Sequence, residues 1–264
     1  MRRIKMHSIS LSNVSKSYGS YKAVKNINLT VETGELFGFL GPNGAGKTTT
    51  IKMMTGLLEP SSGSINVCGI NVWESPVEAK QKIAYVPDQP TLYLKLTGME
   101  YLQFVASIFK LSADEFEKRS TKWLHLFQLE ERAHELIEGY SHGMKQKIAL
   151  CGALLHNPEI IFLDEPTVGL DPKSARTLKN LLRTLCDNGV TVFITTHILE
   201  IAEQLCDRIG IILDGEVIAL GSMKELRKQA NNNQSSLEDI FLDLTGNEEQ
   251  QNIIEELAKA GENQ

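Results

Sequence analysis

Short apolar runs and helical periodicity alternate along most of the chain, a pattern that predicts a parallel sheet built from βα units. Strand-like runs cover residues 24–31 and 35–40, separated by the turn signal Glu32-Thr33-Gly34. A glycine-rich turn then leads into a helix expected over about 47–57. Further strands read at 82–86, 159–163, 190–195 and 208–213. Asp214-Gly215 is a two-residue hairpin signal, and residues 216–218 form its return strand. The middle of the chain differs. From about 97 to 156 the apolar residues recur at helical spacing, as Tyr101, Val105 and Ile108 and then Phe116, Trp123 and Phe127. This predicts a helical insertion between sheet strands. Past residue 230 the polar run Asn231-Asn232-Asn233-Gln234-Ser235-Ser236 reads as a linker, with short amphipathic helices expected at 237–244 and 253–257. No repeat at solenoid spacing is visible.

Composition narrows the function classes. With 42% hydrophobic and 23% charged residues among 264, the chain has ordinary globular content and ample length for a large core. A formal net charge of −6 supplies no basic field for nucleic acid, so no nucleic-acid partner is expected. The basic start Met1-Arg2-Arg3-Ile4-Lys5 is followed by no long apolar run, so neither a signal peptide nor a transmembrane helix is read. Cys68, Cys151, Cys186 and Cys206 have no metal-ligand spacing and read as buried thiols of a reducing compartment, hence the cytoplasm.

Two segments carry chemistry. Gly41-Pro42-Asn43-Gly44-Ala45-Gly46-Lys47-Thr48 matches a P-loop between a strand and a helix. Glycines let successive backbone N–H groups turn inward as an anion nest, and the helix start adds its positive end. Lys47 offers a mobile charge to the β and γ phosphates, and Thr48 offers a hydroxyl to Mg²⁺. The apolar strand at 160–163 ends in Asp164-Glu165, at the edge of the sheet where the P-loop also lies. Asp164 is suited to hold Mg²⁺, directly or through water. Glu165, one residue on, is suited to polarise an attacking water.

The chain resembles the ABC (ATP-binding cassette) ATPase family over about residues 7–225. The most specific segment is Tyr140-Ser141-His142-Gly143-Met144, about twenty residues before the acidic pair, where the family norm is Leu-Ser-Gly-Gly-Gln. Ser141 and Gly143 are retained; Tyr140, His142 and Met144 depart. Ser141 is also a good N-cap for a helix over 144–155. The resemblance implies a P-loop NTPase-type α/β fold: a mostly parallel sheet core, an N-terminal antiparallel β region and a helical subdomain at about 97–156. It implies a nucleotide-binding domain over 1–230 and a short helical tail over 231–264.

It further implies that Ser141 and Gly143 cap ATP bound to the opposite subunit. Each chain then owns two half-sites, and ATP closes two copies, or a copy and a related ATPase subunit, into a dimer. His197 matches the family's histidine at the γ-phosphate, Gly169-Leu170-Asp171 the interface loop, and Tyr18 the aromatic that stacks on adenine. Thr49 extends the phosphate loop beside Thr48. The family's glutamine that touches Mg²⁺ falls by count on Asp88, with Gln89 the alternative if the loop shifts by one residue. The implied function is ATP hydrolysis driving transport through a separate membrane permease, with ATP and Mg²⁺ as cofactors. The protein would be peripheral on the inner face of the cell membrane. The ending at 237–246 leans the reading towards export. Soluble relatives acting in DNA repair or on ribosomes fit less well, because no long coiled coil and no second cassette are present. A subunit that binds ATP without turnover would be expected to have lost some of Lys47, Thr48, Asp164, Glu165 and His197, and all five are present.

Overall fold

A computed structural model describes residues 7–229 and 235–245. From the N-terminal side, β1 (His7–Tyr18), β2 (Tyr21–Glu32) and β3 (Leu36–Leu40) lead into α1 (Lys47–Met54). Then come β4 (Ser62–Val67), β5 (Ile70–Asn71), α2 (Pro76–Lys82) and β6 (Ile83–Val86). A helical arm follows: α3 (Gly98–Ile108), α4 (Ala113–Phe127) and α5 (His142–Leu154). The chain returns to the sheet with β7 (Ile160–Asp164), α6 (Pro172–Asp187), β8 (Thr191–Thr196), α7 (Leu199–Leu205) and β9 (Arg208–Leu213). It finishes with β10 (Glu216–Gly221), α8 (Met223–Gln229) and α9 (Leu237–Thr245).

Two sheets result. The antiparallel one has order β2-β1-β4-β5, the other β10-β9-β3-β8-β7-β6. In the second, β10 alone runs antiparallel to its neighbour. This is the expected mostly parallel core with an antiparallel region on the N-terminal side. Its central strands β3, β7 and β8 are buried throughout, which is why they read as continuous apolar runs. Phe37, Phe39 and Phe162 pack around Phe193 with ring centroids 5.3, 5.6 and 5.8 Å away.

The β1–β2 hairpin was not legible as such. Its buried positions step by two from Ile9 to Leu11, then by three to Val14; β2 likewise steps by three from Val24 to Ile27. Both breaks sit at a register shift, with Asn13 and Asn26 in the left-handed region at φ 53° and 51°. Bulges thus keep Val14 opposite Ile27 on the core face.

The helical arm is cut to length by its caps. Thr97 with Glu100 and Ser112 with Glu115 form complete capping boxes at α3 and α4. Leu102, Trp123, Leu124, Phe127, Ile148 and Leu150 join the sheet residues Leu163, Val192 and Ile194 in one core. α1 stops at Met54, short of the expected 57: Thr55 Oγ1 donates to the Ile51 carbonyl (2.9 Å), and Gly56 turns left-handed at φ 66°. The strand expected from 82 begins at Ile83, because Lys82 closes α2.

α9 docks on the domain. Leu237 and Ile240 are fully buried with Leu40, Ala202 and Ile209. Glu203 of α7 accepts from Arg227 Nη2 (2.9 Å) and from the Leu237 amide (3.2 Å). The helix expected at 253–257 lies outside the described residues, as do 1–6 and most of the expected linker.

Candidate functional site

Parallel strands bring their carboxyl ends to one edge, and three neighbours in the order β3-β8-β7 end there in sequence-predicted residues. β3 runs into the glycine loop, β7 ends in Asp164 followed by Glu165, and β8 is followed by His197. A cleft of about 370 Å³ opens at this edge. Asn43, Gly44, Gly46, Lys47, Thr48, Thr49, Asp88, Asp164 and Glu165 line it, with Tyr18, Tyr21 and Ala23 from the β1–β2 hairpin.

The loop between β3 and α1 is packed so tightly that only glycine fits at two positions. A Cβ on Gly41 would lie 2.2 Å from the Ile212 carbonyl oxygen, and one on Gly46 would lie 2.7 Å from the Ala23 carbonyl oxygen. Gly44 needs glycine for a different reason: its φ is +83°, and the space around it is open. Ala45 is buried, its amide donating to the Pro42 carbonyl (3.2 Å) and its carbonyl accepting from Gly215 N (3.0 Å). Lys47 is 7% exposed; its Nζ donates to the carbonyls of Gly41 (2.7 Å) and Pro42 (3.1 Å). Burial lowers its pKa, against the opposing pull of Glu165 and Asp164.

Thr48 Oγ1 donates to Asp164 Oδ2 (3.0 Å), and Thr195 Oγ1 donates to Asp164 Oδ1. Glu165 leaves the strand at φ 50°, a left-handed conformation unusual for a non-glycine residue. Its amide donates to the Thr195 carbonyl (3.1 Å), and its Oε1 shares a 2.9 Å hydrogen bond with His197 Nδ1. His197 N lies 3.4 Å from Glu165 Oε2. The glutamate is largely shielded, while the histidine side chain is 55% exposed.

Three carboxylates, Asp88, Asp164 and Glu165, face one ammonium in the cleft. That balance suits a cation brought in with a polyphosphate. Among the described residues no three or more His, Cys, Asp or Glu side chains cluster with metal-site geometry. This matches the habit of Mg²⁺, which takes one or two carboxylates and completes its shell with phosphate oxygens and water. Thr48, Asp164 and Asp88 are the cleft residues that could hold it.

Of the two alternatives in the loop after β6, Asp88 lines this cleft, whereas Gln89 lines a separate groove with Tyr85, Tyr101 and Phe109. Ser141 and Gly143 line neither. Ser141 caps α5, accepting from Met144 N at 3.3 Å. Gly143 approaches Gly169, whose carbonyl oxygen would stand 3.2 Å from an added Cβ. His142 is accommodated because Gly169 (φ +77°) has no side chain; a Cβ there would come within 2.2 Å of the imidazole. Asp171 caps α6 through the Ser174 amide (2.9 Å) and lies 3.8 Å from Lys147.

Tyr21 and Ala23 were missed by sequence reasoning. Tyr21 pairs with Tyr18 across the Gly19-Ser20 turn, and both tyrosines are about half exposed at the mouth of the cleft. The available signal was two aromatics flanking a glycine turn. The four cysteines are all free. Burial raises the thiols of Cys68 and Cys186 to about 12 and pushes those of Cys151 and Cys206 up as well.

The ABC transporter family model matches residues 24–168, more than half of the chain. The linearmycin resistance ATP-binding protein LnrL of Bacillus subtilis is 45% identical over 214 residues, which is 81% of this chain and 69% of LnrL. A solved ATP-binding subunit of an ABC transporter superposes with a TM-score of 0.86 at 34% identity, covering 90% of this chain and 99% of that one. A dimeric post-hydrolysis state of the cassette MJ0796, bound to ADP and Pi, superposes with a TM-score of 0.75 at 32% identity, covering 81% and 98%. With the glycine cradle, the acidic strand end and these likenesses together, the chain belongs to the ABC transporter family, as an ATP-binding and ATP-hydrolysing subunit.

Proposed function

We propose that two copies of this chain, or one copy and a related ATPase subunit, close on ATP head to tail and drive export through a separate membrane permease. The observation that carries the reading is the separation of the two anion-binding elements. The phosphate loop lines the cleft, whereas the Ser141-capped tip of α5 contributes nothing to it. A helix N-terminus with a small residue at Gly143 is suited to meet a phosphate held by another chain. The likeness to a dimeric cassette supports the same arrangement.

In this reading Gly41, Pro42, Asn43, Gly44, Ala45, Gly46, Lys47, Thr48 and Thr49 wrap the phosphates, and Tyr18 stacks on the base. Thr48, Asp164 and Asp88 serve the metal, which when bound neutralises charge on the β and γ phosphates. Glu165 accepts a proton from, and orients, the attacking water. His197 holds Glu165 in place through the 2.9 Å bond and, by the family resemblance, is the residue proposed to meet the γ-phosphate. The strained backbone at Glu165, tied to Thr195, points its carboxylate out of the strand and into the cleft.

Residues 1–230 form the ATPase unit, with α9 as an appendage packed on α7. No described helix is long and apolar enough to cross a membrane. In this reading the membrane path belongs to another chain and this one sits on the inner face of the membrane, a placement supported by the likeness to a solved ATP-binding subunit of an ABC transporter. The export direction is supported by the resistance role in LnrL's name.

The test is Glu165→Gln. Hydrolysis should fall by about 10²- to 10⁴-fold while ATP binding persists, and light scattering should find a stable dimer only with ATP and Mg²⁺. A variant that binds ATP and remains monomeric would defeat the shared-site reading.

A further inference from the structure

Thr195 is one of three buried threonines in β8, with Thr191 and Thr196 at the strand's two ends, and it is the one whose hydroxyl meets an acidic side chain. It is fully buried, in β8 between β3 and β7, where Val192, Phe193 and Ile194 set the apolar character. Valine would fill the same volume and suit a buried parallel strand better. A hydroxyl placed there needs a partner, and it has a specific one, Oδ1 of Asp164, directly across the strand pair. The other carboxylate oxygen of Asp164 accepts from Thr48. The backbone of the same Thr195 accepts from the Glu165 amide at 3.1 Å, and His197 lies two residues further on. One residue thus touches both acids from the strand that leads to the histidine.

We infer that Thr195 is a positioning residue for the metal. Its hydroxyl ties down one oxygen of Asp164 so that the other stays turned towards Thr48 and the phosphate loop. The physical reason is the softness of the aspartate side chain. Its terminal torsion is broad and two-fold, so an untied carboxylate samples orientations that carry both oxygens away from a ligand position. A donor fixed in the middle of a sheet removes that freedom in advance. Partners of this outer kind typically change metal affinity by about 10- to 100-fold when removed. The inference rests on the proposed role of Asp164 at Mg²⁺.

The experiment uses the full chain carrying Glu165→Gln, so that ATP is bound without turnover. Thr195→Val, Thr195→Ala and Thr195→Ser are added one at a time, with Asp164→Asn as the comparison. ATP affinity is measured by calorimetry in EDTA, and Mg²⁺ is then titrated while ATP-induced dimerisation is followed by light scattering. Thr195→Val and Thr195→Ala should leave affinity in EDTA unchanged and raise the Mg²⁺ midpoint by about 10- to 100-fold. Thr195→Ser should restore the parent midpoint. Urea unfolding without nucleotide separates this from a packing effect, which would lower stability without moving the midpoint. An unmoved midpoint in both Thr195→Val and Thr195→Ala, with Asp164→Asn shifted, overturns the inference and leaves the ATPase reading standing. An unmoved midpoint in Asp164→Asn as well overturns the metal assignment beneath it.

Discussion

Alanine at Gly41 and alanine at Gly44 should behave as different experiments, although both add one methyl group to the same loop. At Gly41 the new Cβ would sit 2.2 Å from the Ile212 carbonyl oxygen and 2.9 Å from Ile212 Cγ2. That is about 1 Å short of an ordinary C···O contact. The obstacle is backbone inside β9, so neither side can rotate away, and the loop or the strand has to shift. Overpacking of this kind costs about 1–3 kcal/mol, and rigid backbone on both sides places Gly41→Ala at the upper end. The larger consequence falls on geometry, since a 1 Å displacement in a binding cradle costs on the order of 10²-fold in function.

At Gly44 nothing stands within 4 Å of the added atom, and the whole penalty is the left-handed backbone at φ +83°. That penalty is about 1–2 kcal/mol, offset by about 0.4–1 kcal/mol from stiffening the unfolded chain. Gly44→Ala should therefore lose about 1 kcal/mol of stability and no more than about fivefold in ATP affinity. Gly41→Ala should lose about 3 kcal/mol and bind ATP about 100-fold more weakly. Urea unfolding without nucleotide gives the first pair of numbers, and calorimetry in a Glu165→Gln background gives the second. If Gly41→Ala binds ATP as tightly as Gly44→Ala, the close approach between the loop and β9 does not shape the cradle and the reasoning fails.

Two further outcomes can be checked. Tyr18→Ala should weaken ATP binding by about 5- to 150-fold, the range for loss of one stacked base, and Tyr18→Phe should not; equal losses by calorimetry would mean that the hydroxyl, not the ring, matters. Ile240→Ala should lower unfolding free energy by about 2–5 kcal/mol, because the side chain is fully buried against Leu40, Ala202 and Ile209; an unshifted urea midpoint would show that α9 is detached in solution.

The sequence displayed the chemistry more clearly than the architecture around it. The P-loop and the acidic strand end were legible because their residue types are dictated locally: by φ at Gly44, by close approach at Gly41 and Gly46, and by the end of a buried strand at Asp164. The helical arm was legible because Thr97 and Ser112 start periodic runs with their own capping partners. The β1–β2 hairpin was hidden. The bulge at Asn13 interrupts the alternation in β1, and only the 24–31 part of β2 read as a strand, so Tyr21 and Ala23 at the start of β2 stayed outside it. The end of α1 was overrun because Leu57 and Leu58 extend the apolar run past the residue where Thr55 and Gly56 turn the chain. Thr195 fell at the end of the expected strand 190–195 with no role assigned; its hydrogen bond to Asp164 spans 31 residues of chain and is visible only once β7 and β8 lie side by side.

The helical arm leaves the sheet after β6 and returns at β7, and no side chain between 97 and 156 lines the nucleotide cleft. Combustion chamber and gearbox are in this sense separate castings bolted along one seam. The outward surfaces of α3 and α4 are free to diverge under no veto from the phosphate chemistry. The ends of β3, β7 and β8 have no such licence, since an altered residue there is felt by the nucleotide at once. A lineage of such motors can thus redraw α3 and α4 while inheriting unchanged both the phosphate cradle and the α5 tip that the proposed dimer sets against it.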